Sequence, residues 1–223
     1  MFNHYGGIYR PAQIFSTPKF NISPIFHASS GVFVELKEKT NNIAKIEVRT
    51  HITNKSEQDN LTINYNIINA NNKVIKTLSK VIDVHQKENV VRQLIDIQNP
   101  ILWNGRKNPY VYTVEVTLSV GKSSDKIKQN FGIRTFKVDA EKGFFLNHEP
   151  YRIYGVAMHQ EWQQVGPALS IENHKKDMEI VDEIGATGLR LSHYQHSETT
   201  YNAADELGLL VWTEIPFVHG YMF

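Results

Sequence analysis

The chain has 223 residues, of which 41% are hydrophobic and 21% charged, and this balance argues against a disordered segment. Its 24 basic and 23 acidic side chains leave a net charge of +1 without a basic stripe, which argues against nucleic acid or an anionic membrane surface as a partner. Cysteine is absent, which excludes disulfides and thiolate metal sites, and no apolar run approaches the roughly 20 residues that span a bilayer.

The first 137 residues consist of short segments in which apolar and polar side chains alternate. These segments show no helical periodicity, and Asn69–Asn72 forms a turn whose asparagines tolerate a left-handed backbone. Short strands at this spacing predict an immunoglobulin-like β-sandwich over residues 21–137, preceded by the tail of an earlier module or a linker at 1–20. The predicted strands cover residues 32–36, 43–52, 61–67, 73–78, 90–95, 111–118 and 126–131.

Residues 138–223 alternate between strands and helices, with strands predicted at 153–157, 189–192 and 209–212. The first helix follows Ser170 as its N-cap and ends at Gly185. The second helix covers Glu198–Leu207, with Gly208 as its C-cap. This β-α-β-α-β order predicts the opening units of a TIM (β/α)8 barrel with parallel strands. Because the last strand is continuously apolar, we expect Trp212 to lie in a buried core.

The predicted barrel is incomplete. A closed barrel needs eight strand-helix units in about 250 residues, and only about 85 residues follow position 138. We therefore expect the chain to be an interior piece of a longer protein. We also expect exposed apolar surface at the third barrel strand, because an unpaired strand edge has no neighbour to cover it.

Several short motifs occur in a diagnostic order. They are Gly6–Arg10, Pro100–Trp103, Asn108–Tyr112, Phe131–Arg134, Leu146–Pro150, Gly155–His159, Arg190–Tyr194 and Ala204–Gly208. In this order and spacing they resemble glycoside hydrolase family 2, the group of β-galactosidases, β-glucuronidases and β-mannosidases. The resemblance implies that residues 1–20 end a sugar-binding jelly roll. Ala157 and Gln195 depart from the common pattern, and the Gln195 form is similar to a β-galactosidase-like branch, so we expect a β-galactoside as substrate.

The resemblance implies a retaining exo-glycosidase, whose two carboxyl groups lie about 5–5.5 Å apart. In the family these are glutamates at the ends of the fourth and seventh barrel strands, the former in an Asn-Glu pair. The chain contains no Asn-Glu pair, so we predict that it carries neither catalytic residue and is inactive alone. Glu161 and Glu214 follow strand ends, but each is better interpreted as a structural or rim carboxylate, with Glu214 supporting its neighbours.

Histidines at strand ends are the predicted substrate-binding residues. By resemblance, His193 and His219 line the sugar subsite, where a neutral imidazole can both donate to and accept from hydroxyls. His159 and Arg190 join them, although for each a structural role is an equal alternative. We predict no metal site, because His193 and His196 have no third ligand nearby. We also predict no cofactor; Mg or Na assists some relatives, with no ligands identifiable here.

The expected partners are a carbohydrate substrate and the remainder of the parent chain or barrel, and a homo-oligomer is compatible with the sequence. The compartment stays open between bacterial cytoplasm and periplasm. Two other hypotheses remain: a non-catalytic carbohydrate-binding or structural module, and a complementation fragment that docks with a separate barrel chain. An Asn-Glu pair encoded beyond Phe223 would favour the glycosidase fragment over the stand-alone module, and size-exclusion analysis with and without the downstream gene product would test the complementation fragment.

Overall fold

A computed structural model describes residues 7–216. The described chain forms two compact units. One contains Phe15–Leu102 and Tyr110–Ile133, and the other contains residues 7–14, Trp103–Pro109 and residues 134–216. The predicted segment bounds of 1–20, 21–137 and 138–223 stay predictions. Within the described part of the chain, no helix is both long and apolar enough to cross a membrane.

The first unit is an all-antiparallel β-sandwich, which confirms the predicted immunoglobulin-like architecture. Its strands are β1 (Phe20–Ile22), β2 (Val32–Lys39), β3 (Ile43–Asn54), β4 (Asn60–Ile68), β5 (Val74–Asp83), β6 (Glu88–Gln98), β7 (Tyr112–Val120) and β8 (Ser123–Phe131). Each of the predicted strands overlaps one of β2 to β8. Strand β1 was not predicted, because three residues are too few for an alternating pattern to show.

The two sheets of the sandwich are arranged around β3 and β4. In one sheet β6 pairs with one edge of β3 along nearly the whole length of β3. The other edge of β3 pairs with β2 over most of its length and with β1 at its end. The other sheet has the order β5-β4-β7-β8. Asn72 has a φ of 59° in the predicted asparagine turn between β4 and β5, as the turn chemistry requires.

The sandwich core consists of every second residue of its strands, because side chains alternate between the two faces of a sheet. Ile46 and Val48 of β3 are buried against the facing sheet, which contributes Ile63 and Val116. Fully burying one such side chain stabilises the fold by roughly 1.5–3 kcal/mol, so this core dominates the stability of the unit. Burial also raises the pKa of Tyr65 to about 12.

The second unit begins with a small antiparallel sheet that the sequence analysis did not predict. It contains β9 (Phe136–Asp139), β10 (Gly143–Leu146) and β11 (Glu149–Pro150). The two-residue turn between β10 and β11 has positive φ at Asn147 and His148, as expected for a type I′ hairpin.

Three parallel strands and two helices complete this unit and confirm the predicted β-α-β-α-β order. They are β12 (Gly155–Met158), α1 (Ile171–Glu183), β13 (Gly188–Leu191), α2 (Glu198–Leu207) and β14 (Leu210–Thr213), with the sheet order β12-β13-β14. Ser170 caps α1 in a capping box with Asn173, and Gly208 ends α2 with a φ of 73°.

One face of the parallel sheet packs on the helices. Leu189 and Leu191 of β13 belong to the core that contains Met178 and Val181 of α1 and Ala204 of α2. Ile184 is 60% exposed, because it is the C-cap residue beyond the last buried turn of α1.

The other face of the sheet turns away from the helices. Ala157, Arg190 and Trp212 are register partners in adjacent strands and therefore share that face. The prediction that Trp212 is buried is wrong, since its side chain is 69% exposed. The expected apolar exposure at the third strand is present in the described residues. This face lines a cavity of about 860 Å³.

The segment Trp103–Pro109 packs on α1 and α2. The indole Nε1 of Trp103 donates to the carbonyl oxygen of Asp205 at 2.9 Å, and Arg106 forms an ion pair with Asp182. Gly208 lies so close to Gly105 that a Cβ atom on Gly208 would be 2.4 Å from the Gly105 carbonyl carbon. The absence of a side chain at Gly208 therefore permits this close backbone approach, whereas a Cβ atom on Gly105 would instead meet the ring of Tyr151.

Candidate functional site

Polar side chains gather at the carboxyl ends of the three parallel strands. Arg190 lies in β13, His193 follows β13, His159 follows β12, and Glu214 follows β14. Carboxyl ends of neighbouring parallel strands meet at one edge of the sheet, which is the edge where α/β barrels place their active sites. Four of the five residues predicted as site residues therefore lie at the same edge. The fifth, His219, lies outside the described residues.

Glu214 is the centre of this group because its two carboxylate oxygens have different partners. Arg190 donates from Nε to Oε1 at 2.7 Å, and Nδ1 of His193 lies 2.8 Å from Oε2. The hydrogen bond from Arg190 is the main cause that lowers the pKa of Glu214 below the usual carboxyl value, with His193 contributing further. Glu214 is therefore ionised at neutral pH.

The ionised carboxylate fixes the orientation and tautomer of His193. A carboxylate only accepts hydrogen bonds, so Nδ1 of His193 must carry the proton that it shares with Glu214. In the neutral ring Nε2 is then an acceptor, suited to a donating hydroxyl group. The side chain of His193 is 28% exposed, which leaves part of the ring accessible from solvent.

His159 lies beside His193. The two ring centroids are 5.4 Å apart with an edge-to-face angle of 62°, and the ring of Tyr194 lies 6.3 Å from His159. The strand ends thus bring two imidazoles and a phenol ring together. Such a surface offers both hydrogen-bonding nitrogens and flat apolar faces.

The loop between β13 and α2, residues 192–197, carries His193 and contacts both neighbouring strand ends. Towards β14, Tyr201 donates its hydroxyl proton to Oε1 of Gln195 at 2.8 Å, and its oxygen lies 2.7 Å from Oγ1 of Thr213. Arg10 also hydrogen-bonds the carbonyl oxygen of Gln195. The peptide bond between Ser192 and His193 is cis.

Towards β12, the same loop is held by Gln160. Its side-chain Oε1 accepts from the backbone N–H of Ser197 at 2.8 Å, and its own backbone N–H donates to the hydroxyl of Tyr194 at 3.1 Å. Gln160 and Tyr201 were not predicted as members of the site. No local pattern marks them, because their partners are brought close by the strand order.

His196 belongs to the interior and not to the exposed group. It is 3% exposed, and its Nε2 lies 3.1 Å from the carbonyl oxygen of Ser192. His174 of α1 is 4% exposed, with Nδ1 3.4 Å from Oγ1 of Thr200. Burial lowers the pKa of both histidines. Both rings are therefore neutral at physiological pH.

Trp162 and Glu161, in the loop after β12, lie in other surroundings. Trp162 donates from its indole nitrogen to Asp177 of α1 at 2.8 Å, which ties the loop after β12 to that helix. Glu161 is exposed in the same loop. Within residues 7–216, no three His, Cys, Asp or Glu side chains come close enough together to hold a metal ion.

A sandwich followed by parallel strand-helix units with polar strand ends is an architecture of multidomain barrel enzymes. A family model described as glycosyl hydrolases family 2 matches residues 28–134, and a second, for the TIM barrel domain of the same family, matches residues 136–222. The chain belongs to glycosyl hydrolases family 2.

Individual relatives carry two different names. A β-glucuronidase from Bacteroides fragilis is 34% identical over 219 residues, which are 97% of this chain and 31% of that protein. A β-galactosidase from Thermoanaerobacter pseudethanolicus is 30% identical over 95% of this chain and 27% of that protein. The crystal structure of a Bacteroides uniformis β-glucuronidase superposes with a TM-score of 0.84 and 29% identity, covering 90% of this chain and 24% of that one.

The chain therefore spans less than a third of the length of these relatives. They share the sandwich and the opening barrel strands with it, and their names differ in the sugar.

Proposed function

We propose that the chain contributes the sandwich and the first three barrel strands to a retaining glycoside hydrolase that removes terminal β-linked sugars. In this proposal His193 and His159 bind sugar hydroxyls at the strand ends, Glu214 and Arg190 hold His193 in place, and His219 joins from beyond the described residues. The observation that carries the proposal is the Arg190–Glu214–His193 arrangement, which presents an oriented imidazole at the edge where barrels bind substrate.

The surroundings of Glu214 support a positioning role. A retaining mechanism needs a nucleophilic carboxylate free to attack and a carboxylic acid able to give up its proton, about 5–5.5 Å apart. Both oxygens of Glu214 already accept strong hydrogen bonds, and its lowered pKa keeps it unprotonated, which does not suit an acid. The family resemblance implies that the reacting carboxylates follow other strands, so the 223-residue chain is inactive by itself.

A β-glucuronide is the first candidate substrate, because the relative at 34% identity is named a β-glucuronidase. A β-galactoside is the second candidate. Another relative is named a β-galactosidase, and the Gln195 form is similar to the β-galactosidase-like branch of the family.

The test is hydrolysis of p-nitrophenyl β-D-glucuronide, β-D-galactoside and β-D-mannoside by the full-length gene product that contains these residues. We expect one of the first two to be cleaved, with retention of the anomer seen by NMR. The His193→Ala variant should lower kcat/KM about 100-fold, as expected for loss of a direct hydrogen bond to the sugar. Glu206→Gln, an exposed change on α2, is the control. Inversion of the anomer, or full activity in His193→Ala, would refute the proposal.

A further inference from the structure

Gln160 is a buried polar side chain with no assigned role. It is 2% exposed although it directly follows His159 at the end of β12. A buried amide is costly unless its polar groups are hydrogen-bonded, so its partners indicate why this position is polar.

Those partners both belong to the segment that directly follows His193. The backbone N–H of Gln160 donates to the hydroxyl of Tyr194, the residue after His193, at 3.1 Å. Its side-chain Oε1 accepts from the N–H of Ser197, the N-cap residue of α2, at 2.8 Å. One residue therefore fixes both the start and the end of the segment 194–197 to the end of β12.

The packing of Tyr194 makes this attachment rigid. Its ring stacks on the buried ring of His196 with centroids 5.1 Å apart and an interplanar angle of 20°. His196 in turn bonds the carbonyl oxygen of Ser192, the residue before His193. His193 is thus flanked on both sides by residues whose positions depend on contacts with buried groups.

We propose that Gln160 is a positioning residue that sets the separation of His159 and His193 through its hydrogen bond to Ser197 N–H. This inference rests on the proposed function, because it assigns the His159–His193 pair to the sugar subsite. Gln160 itself touches no substrate. It acts by holding the loop of one histidine to the strand end that carries the other.

Two substitutions separate the hydrogen bond from the volume of the side chain. Gln160→Met keeps the length of the side chain and removes the acceptor, whereas Gln160→Glu keeps an acceptor for Ser197 N–H next to a helix N-terminus that favours negative charge. Gln163→Met is the matched control, because Gln163 is an exposed glutamine in the same loop.

The first readout is the nuclear Overhauser contact between the rings of His159 and His193 in the 223-residue chain. It should be clear in the parent chain, weakened in Gln160→Met, and retained in Gln160→Glu and Gln163→Met. The second readout is kinetics of the full-length gene product. There Gln160→Met should raise KM about tenfold with a smaller change in kcat, as expected for loss of ground-state binding, and Gln160→Glu should restore most of it.

A merely structural role predicts a different pattern. If Gln160→Met lowers the unfolding temperature but leaves the ring contact and KM unchanged, the inference is wrong. The contact between the two rings is measured without a substrate, so it tests the positioning role separately from the proposed function. If the contact depends on Gln160 but no glycoside is hydrolysed, the positioning stands and the proposed function fails.

Discussion

The carboxylate of Glu214 links side chains from two strand ends. Its oxygens are shared between Arg190 on β13 and His193 beyond β13, so three side chains from two strand ends act as a unit. Removing its charge should disturb the ring of His193 more than the fold, since the group is at the surface edge of the sheet.

We expect Glu214→Gln to weaken sugar binding about tenfold, because an amide is a poorer acceptor than a carboxylate for two charged or polarised donors. The affinity of the full-length gene product for a non-hydrolysable thioglycoside measures this. Glu206→Gln on α2 should bind as the parent does. Unchanged affinity in Glu214→Gln would show that Glu214 does not position His193.

The buried histidines His174 and His196 predict a pH-dependent stability of the barrel unit. Burial lowers the pKa of both in the folded state, whereas the unfolded chain takes up protons near the ordinary histidine value of about 6.5. Below that pH the unfolded state binds more protons, so the free energy of unfolding falls as the pH drops. Above it, these two groups contribute no pH dependence.

Tryptophan fluorescence can follow this unit selectively, because Trp103, Trp162 and Trp212 all belong to it. The urea midpoint should be lower at about pH 5.5 than at about pH 7.5. The difference should shrink in His174→Asn/His196→Asn and persist in His148→Asn, which changes an exposed histidine of the same unit. Equal midpoints for the parent chain at the two pH values would contradict the assignment.

At the scale of the elements, the helix ends offer a matched comparison. Gly185 after α1 and Gly208 after α2 have almost the same φ angle, 71° and 73°. A Cβ atom on Gly185 would meet nothing within 4 Å, whereas on Gly208 it would collide with the backbone of Gly105. Any difference between alanine variants at the two positions therefore reports the packing and not the φ angle.

We expect Gly185→Ala to destabilise the unit by about 1 kcal/mol, the usual cost of alanine in a left-handed conformation. Gly208→Ala should cost at least about 3 kcal/mol, because the segment around Gly105 must move away from α2. Urea unfolding followed by tryptophan fluorescence gives both values. Equal effects of the two substitutions would mean that the close approach of the glycines contributes little.

The sequence predictions were accurate for elements that are decided by residues close together in the chain, and less accurate for the others. Helix α2 was predicted with its bounds, because its apolar residues have helical spacing and Gly208 is a local signal at its end. The strands β2 to β8 followed from alternation. Strand β1 and the β9-β10-β11 sheet are too short to show a period, and Trp212 was placed in the core because its neighbours in sequence are apolar.

The site was predictable only in part for the same reason. The family resemblance predicted His193, His159, Arg190 and Glu214 as site residues, and the structure places them at the same edge of the sheet, while their roles stay predictions. Gln160 and Tyr201 gave no signal in the sequence, because their partners are set by the fold. Gln160 hydrogen-bonds a residue 37 positions away, and Tyr201 in α2 contacts Gln195 before the helix and Thr213 after it. Their importance depends on the parallel order of β12, β13 and β14, which is a property of the tertiary fold.

At the scale of the whole molecule, the two units differ in how they cover their apolar surface. The sandwich buries the inner faces of both its sheets. Among residues 7–216, the parallel sheet buries the face against α1 and α2, and its other face carries Arg190 and the exposed Trp212 beside a cavity of about 860 Å³. The proposed sugar-binding groups lie at one edge of this uncovered face.

The most direct test is a titration of the 223-residue chain with phenyl β-D-thioglucuronide and phenyl β-D-thiogalactoside, followed by the side-chain NMR signals of its histidines. The account predicts that the signals of His193 and His159 shift with one of the two ligands, with a dissociation constant in the range of about 1 mM or weaker. It also predicts no release of nitrophenol from the corresponding nitrophenyl glycosides. Unchanged His193 signals up to the solubility limit of both ligands, or steady hydrolysis by this chain alone, would contradict it.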